Sequence, residues 1–111
     1  MAGFIGGTPV SLTGTTWVTV VAAPAASKQR QILGIHVNNL DTATRVIKLR
    51  KLVAAAGYED YPPVTIASTK RAQVLLESVV LDATNMSFQL STDATAATTE
   101  PRVDVSVFEV P

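Results

Sequence analysis

Apolar and polar side chains alternate with a period of two along most of this chain. Residues 30–51 set the pattern. Leu33, Ile35 and Val37 alternate with Gly34, His36 and Asn38, and then Ile47 and Leu49 alternate with Val46, Lys48 and Arg50. Such a period places successive side chains on opposite faces of a strand. Between the two runs, Asn38-Asn39-Leu40-Asp41-Thr42 has the chemistry of a turn, because Asn and Asp tolerate left-handed backbone and bond their own main chain. The expectation is a long hairpin, which needs a second layer over its apolar face.

The rest of the chain supplies that layer. Residues 1–14 are expected to form an extended arm or first edge strand, with Phe4 and Ile5 as its docking groups, and residues 15–111 one sandwich domain. A short strand is expected near 8–13. Residues 15–23 read as a strand with Trp17, Thr19 and Val21 on one face and Val18, Val20 and Ala22 on the other, stopped by Pro24, which cannot donate to a ladder. The stretch Tyr58-Glu59-Asp60-Tyr61-Pro62-Pro63 is expected to be a loop, since paired prolines forbid helix; its two tyrosines make it a candidate contact loop. Residues 64–66 are a short strand. Residues 72–81 fit strand or amphipathic helix; the valines favour strand, with Ala72, Val74, Leu76, Ser78 and Val80 on one face. A turn at 82–85 leads to a strand on which Met86, Phe88 and Leu90 alternate with Ser87, Gln89 and Ser91. Residues 91–100 are small and polar and predict an exposed loop. Residues 102–110 are a strand with Val103, Val105 and Val107 facing inward. The whole predicts an all-β fold, an antiparallel β-sandwich or jelly roll of seven or eight strands with an extended N-terminal arm.

Composition narrows the chemistry. At 111 residues the chain is one domain, 16% charged and with a formal net charge of zero. Eight basic and three acidic side chains fall between 28 and 71, and six acidic and one basic follow. Neighbouring strands are expected to interleave and cancel them. The chain has no cysteine, which removes disulfide, thiolate-metal and cysteine-nucleophile chemistry. No long apolar run suggests a membrane span, and no basic segment after Met1 suggests a secretory signal, so synthesis in a cytoplasm is expected. The one histidine, His36, has no nucleophile and carboxylate tied to it. No residues show metal-ligand spacing, Asp82 and Asp93 being a poor calcium pair, and no cofactor is expected. Lys48, Arg50 and Lys51, with Arg45 and Arg30, form a modest basic strip without interleaved aromatics, so nucleic-acid binding is not expected.

The order of features resembles a known family. A Thr15-Thr16-Trp17 strand ends at Ala23-Pro24. Lys28-Gln29-Arg30 enters a strand that closes on Val37-Asn38-Asn39. A Leu76-Glu77-Ser78 strand, an Asp82-Ala83 turn and a terminal Val-rich strand follow. This layout is similar to the small β-sandwich virion proteins of tailed bacteriophages, the capsid decoration (cement) proteins and related head or tail accessory proteins. The resemblance implies a non-enzymatic structural role, a virion location, self-assembly into trimers or rings, and attachment to a major capsid protein or another virion protein. The partner contacts expected from the residues are Phe4, Ile5, Trp17, Tyr58 and Tyr61. The alternative from the residues alone is a carbohydrate-binding module using Tyr58-Glu59-Asp60-Tyr61.

Overall fold

A computed structural model describes the chain apart from residues 1, 2, 7–9, 26, 55, 56, 83 and 111, and describes residues 3–6 and 110 by backbone alone. The described part of the proposed N-terminal arm therefore begins at Gly3. Among the described residues there are ten strand segments: β1 (Gly3–Gly6), β2 (Val10–Ser11), β3 (Val18–Val21), β4 (Gln29–Asn38), β5 (Arg45–Val53), β6 (Gly57–Ile66), β7 (Arg71–Leu75), β8 (Val79–Leu81), β9 (Asn85–Thr92) and β10 (Arg102–Val110). They form two antiparallel sheets. Sheet A runs β1-β10-β4-β7, with β2 continuing β1 along β10 and β8 continuing β7 along β4; sheet B runs β3-β9-β5-β6. With the broken edge strands joined, there are four strand positions in each sheet, in the order of a jelly roll.

Residues 30–51 are not a hairpin. β4 is central in sheet A and β5 is central in sheet B, so the connection at 39–44 crosses between the layers. Both strands need neighbours on two sides, and a hairpin would have given each the other. The buried polar groups of the connection decide the matter. Asn39 and Asp41 are fully buried. Asn39 Nδ2 donates to the carbonyls of Ala43 and Ile66, each at 2.9 Å. Asp41 takes Arg45 Nη2 at 2.8 Å and the N–H groups of Ala97 and Thr98, each at 2.9 Å. Ala43 and Arg45 are local, but Ile66, Ala97 and Thr98 belong to other parts of the chain than a hairpin turn would use, and together these bonds hold the corner between the sheets. Among the described residues, β5 and β6 are the hairpin of consecutive paired strands.

The core lies between the sheets. Ile32, Ile35, Val37, Leu81 and Val103 of sheet A meet Ile47, Leu49, Phe88 and Leu90 of sheet B, all at or below 1% exposure. Burying side chains of this size contributes about 1.5–3 kcal/mol each. The inward set on β10 is Val103, Val105 and Val107, as the alternation predicts, although Val105 is only half-buried. Extra residues shift the pattern elsewhere. Leu33 is the extra residue of β4 opposite Ser106 and Val107, and it turns outward, so Ile32 takes the inward place. Val74 is extra on β7, and Val20 is extra on β3. Residues 72–81 are strand, but broken at 76–78, and the inward residues change from Val74 and Leu75 to Val79 and Leu81. A single phase over the whole segment is therefore corrected. A bulge adds one residue and reverses the faces beyond it.

The stretch from Tyr58 to Pro63 is strand and not loop. It lies in β6, an edge of sheet B. Pro62 and Pro63 fall where the β5–β6 register shifts, between the pairs Ile47–Val64 and Leu49–Tyr61. A bulge on an edge strand is where missing N–H donors do least harm. Residues 91–100 also depart from a free loop: Ser91 and Thr92 are buried, and Asp41 holds the segment at 97 and 98.

Candidate functional site

The chemistry of the surface is concentrated on the outer face of sheet B. Thr19, Gln89, Arg50 and Asp60 stand side by side across β3, β9, β5 and β6. Gln89 links two of these strands: its Oε1 accepts from Arg50 Nε at 2.8 Å, and its Nε2 donates to Thr19 Oγ1 at 3.1 Å. The Arg50 guanidinium is thereby fixed over two rings, 4.1 Å from the Trp17 centroid and 3.5 Å from that of Tyr58. Cation–π contacts of this kind contribute about 0.5–2 kcal/mol. Beside them is a groove of about 420 Å³ bordered by Trp17, Val46, Lys48, Asp60, Tyr61 and Pro63.

Sheet A has an outer face of two halves. Toward the 39–44 corner it is polar: half-buried His36 lies between Asp104 of β10 and Gln73 of β7, and Arg71 Nη2 is 3.7 Å from Asp104 Oδ2. Toward the other end it is apolar. Leu33 and Val80 are 45% and 43% exposed, Phe108 is half-buried across the sheet, and Leu76 projects at 82% from the break between β7 and β8. A cleft of about 310 Å³ opens between the layers where β6 meets β7, walled by Tyr61, Pro62, Val64, Val74, Leu75 and Leu76 and with Glu77 at its mouth.

The expected contact residues are thus separated. Trp17 and Tyr58 come together through Arg50, a partner that sequence reading put in a different group. Tyr61 turns the opposite way to Tyr58, three residues along a strand, and packs on Phe88 with ring centroids 5.2 Å apart. Phe4 and Ile5 pair by backbone with Phe108 and Val107, and their side chains lie outside the described residues. The basic strip also separates. Arg45 is buried against Asp41, Arg30 joins Glu109 and the Ala22 carbonyl at the far end, and Arg50 is interleaved with aromatics after all. Asp82 and Asp93 each bind backbone: Asp82 takes the N–H groups of Thr84 and Asn85 within its own turn, and Asp93 takes that of Val46 on β5, 47 residues away. Gln89, Leu33 and Val80 gave no signal as surface groups with a task, because their neighbours come from strands 39 or more residues away or from a bulge.

No protein-family model matches this sequence, and no curated protein matches it. Solved structures superpose on this chain, and the two with TM-scores above 0.5 share its fold. A subunit of the Bacillus endospore appendages, described as disulfide-linked pili, superposes with a TM-score of 0.54 at 11% identity, covering 98% of this chain and 85% of that one. The CBM22-1–GH10 modules of Clostridium thermocellum xylanase 10B, solved with xylohexaose, also give 0.54 at 11% identity, covering 96% of this chain and 24% of that one. A chain of the cyanophage Pam1 capsid gives 0.48 at 21% identity, covering all of this chain and 84% of that one.

Proposed function

We propose that this chain is a non-enzymatic structural protein of a phage virion, and within that class a capsid decoration protein that trimerises and bridges subunits of the major capsid protein. A role in the tail or at the head–tail joint is the near variant. The fold does not choose among functions, since sandwiches carry many. The supporting observation is the apolar half of sheet A's outer face, where Leu33 and Val80 stand exposed near Phe108, with Leu76 projecting from the β7–β8 break at its edge. Single exposed apolar residues are ordinary, but several sharing one face mark a contact surface. Contacts of this modest kind gain strength when many copies engage one large body. The buried Asp41 carboxylate, saturated by Arg45 and by main-chain donors, serves the fold, which accords with the non-enzymatic part of the reading.

The test is cosedimentation of the purified chain with phage heads that lack it. The wild-type chain should pellet with the heads. A Leu76→Asp, Val80→Asp double variant, confirmed as folded by its circular dichroism, should stay in the supernatant. A double variant that pellets as fully as wild type would remove the apolar face from the account, and a wild-type chain that never pellets would remove the virion reading itself.

A further inference from the structure

The groove on the opposite layer calls for a small-ligand explanation that attachment through sheet A does not supply. Its volume of about 420 Å³ lies within the usual range of roughly 300–1,000 Å³ for ligand clefts. One wall is the Trp17 indole, half-buried and held in place by Arg50 on its face. The rest combines apolar surface from Val46 and Pro63 with one ammonium, Lys48, and one carboxylate, Asp60. Both charged residues are exposed, and neither is engaged in an ion pair with the other among the described residues. An aromatic wall with an acceptor and a donor of opposite charge is suited to a ring that has an apolar face and a rim of hydroxyls.

We infer that this groove binds a pyranose-based oligosaccharide, with a sugar ring against Trp17 and its hydroxyls shared between Asp60 and Lys48. Asp60 accepts from hydroxyl hydrogens, and Lys48 donates to hydroxyl oxygens. Opposite charges in the lining cancel, which favours a neutral chain over a polyanion. A nucleic-acid strand would need phosphate-neutralising groups in excess, and Asp60 opposes them. Tyr58 has a different task from the one its sequence position suggests. It braces the far side of Arg50, and so holds Trp17 indirectly; it is a positioning residue, and Trp17 makes the contact. Because the groove is on sheet B and the apolar half-face on sheet A, sugar binding is independent of attachment to a larger body.

The experiment is a glycan array with the full chain, followed by calorimetric titration of the best neutral oligosaccharide and, in parallel, of a uronate-containing oligosaccharide and a single-stranded oligonucleotide. Neutral-sugar binding should appear. Trp17→Ala and Asp60→Ala should each weaken it at least tenfold, and Tyr58→Ala only a few-fold. Should Trp17→Ala melt poorly, Lys48→Ala at an exposed position provides the independent check, with a loss of several-fold expected. Absence of any array signal at millimolar ligand overturns the inference. So does tighter binding of the oligonucleotide or the uronate chain, or neutral-sugar binding that is indifferent to Trp17, Lys48 and Asp60.

Discussion

Asp41 and Asp82 each sit in a connection between strands, and each accepts backbone N–H groups, yet their partners differ in reach. Asp82 binds the N–H groups of Thr84 and Asn85, within its own turn. Asp41 binds Thr42 and Arg45 close by and then Ala97 and Thr98, 56 and 57 residues away. The end of the sandwich around Asp41 is a knot. Ser68 Oγ donates to the Asp41 carbonyl at 2.6 Å, Asn39 N–H to that of Lys70 at 2.8 Å, and Thr92 N–H to that of Gly14 at 2.9 Å. The opposite end is joined more lightly, by Ala54 N–H on the Thr84 carbonyl and by Arg30 on the Ala22 carbonyl and Glu109. The same carboxylate chemistry thus closes a local turn at one end and ties two separate connections, at 39–44 and at 97–98, at the other.

The largest expected effect follows from cutting that knot. Asp41→Ala leaves the Arg45 guanidinium buried without its counter-charge and frees the Ala97 and Thr98 N–H groups. An unpaired buried charge is among the costliest defects a core can hold. The variant should lose enough stability to be partly unfolded at 37 °C, and Asp82→Ala should melt close to wild type. Thermal melts followed by circular dichroism compare the two directly. If both variants melt alike, the contrast between the ends is wrong.

Acid gives the same comparison without mutation. The Ala97 N–H, then those of Thr98 and Thr42 with Arg45, hold the Asp41 carboxyl far below its ordinary value of 3.8, against the opposing effect of burial. The N–H groups of Asn85 and Thr84 lower Asp82 in the same direction. A carboxyl whose pKa is depressed by folding contributes stability that is complete above the unfolded value and is lost as pH falls toward the folded one. Stability should therefore be flat with respect to these two groups above about pH 5 and fall below about pH 4. Asp41→Asn should flatten that fall more than Asp82→Asn does. An unchanged acid limb in Asp41→Asn would show that other carboxyls govern it.

Two glycines sharpen the contrast at smaller scale. Gly14, at the knot, and Gly57, at the light end, have φ of 98° and 91°. A side chain in left-handed backbone costs about 1–2 kcal/mol, and Gly57→Ala should cost that much, since a Cβ there meets nothing within 4 Å. At Gly14 the same Cβ would lie 3.1 Å from Thr95 Cα, a backbone atom of the tied loop. Gly14→Ala should therefore exceed Gly57→Ala, as read by urea midpoints at constant m-value. Equal losses would mean that the 93–100 loop yields freely and is not tied at all.

What local alternation can report, it reported: most strand positions, though not the first part of β6, and the inward valines of β10, with the connections at 38–42 and 82–85. It could not report partners. Residues 30–51 show two alternating runs and a turn, and nothing in that stretch says that Asn39 and Asp41 will find Ile66 and Ala97 instead of each other's neighbours. Bulges are equally silent, because Leu33 satisfies the alternation that the structure breaks. The same holds for the surface. The outward parity of Arg50 was legible, but its companions Trp17 and Gln89 come from β9 and the approach to β3, and only the sheet order brings them together. Residues that act through long-range partners are those whose role a local pattern cannot contain.

The smallest effect expected is a gain. Two turns place a non-glycine residue in left-handed backbone at the third position, one at each end: Ser27 in the turn closed by Lys28 N–H on the Ala25 carbonyl, and Thr69 in that closed by Lys70 N–H on the Ala67 carbonyl. That position favours glycine, and a β-branched threonine at φ 63° is strained more than a serine at 68°. Thr69 offsets part of the strain with a hydrogen bond from its Oγ1 to the Ser68 carbonyl at 2.6 Å, on an exposed site where water would otherwise serve. Thr69→Gly relieves the strain but loosens the unfolded chain. Because the Asn39 N–H to Lys70 carbonyl bond and the Ser68 hydroxyl bond already hold this turn against the knot, the backbone there needs no help from the Thr69 side chain. Thr69→Gly should raise stability by a few tenths to about 1 kcal/mol, and Ser27→Gly, at an end with fewer ties, by less. A Thr69→Gly variant that loses stability would show that its hydroxyl, and not the neighbouring ties, positions the turn, and the knot would then depend on one more side chain than the geometry assigns to it.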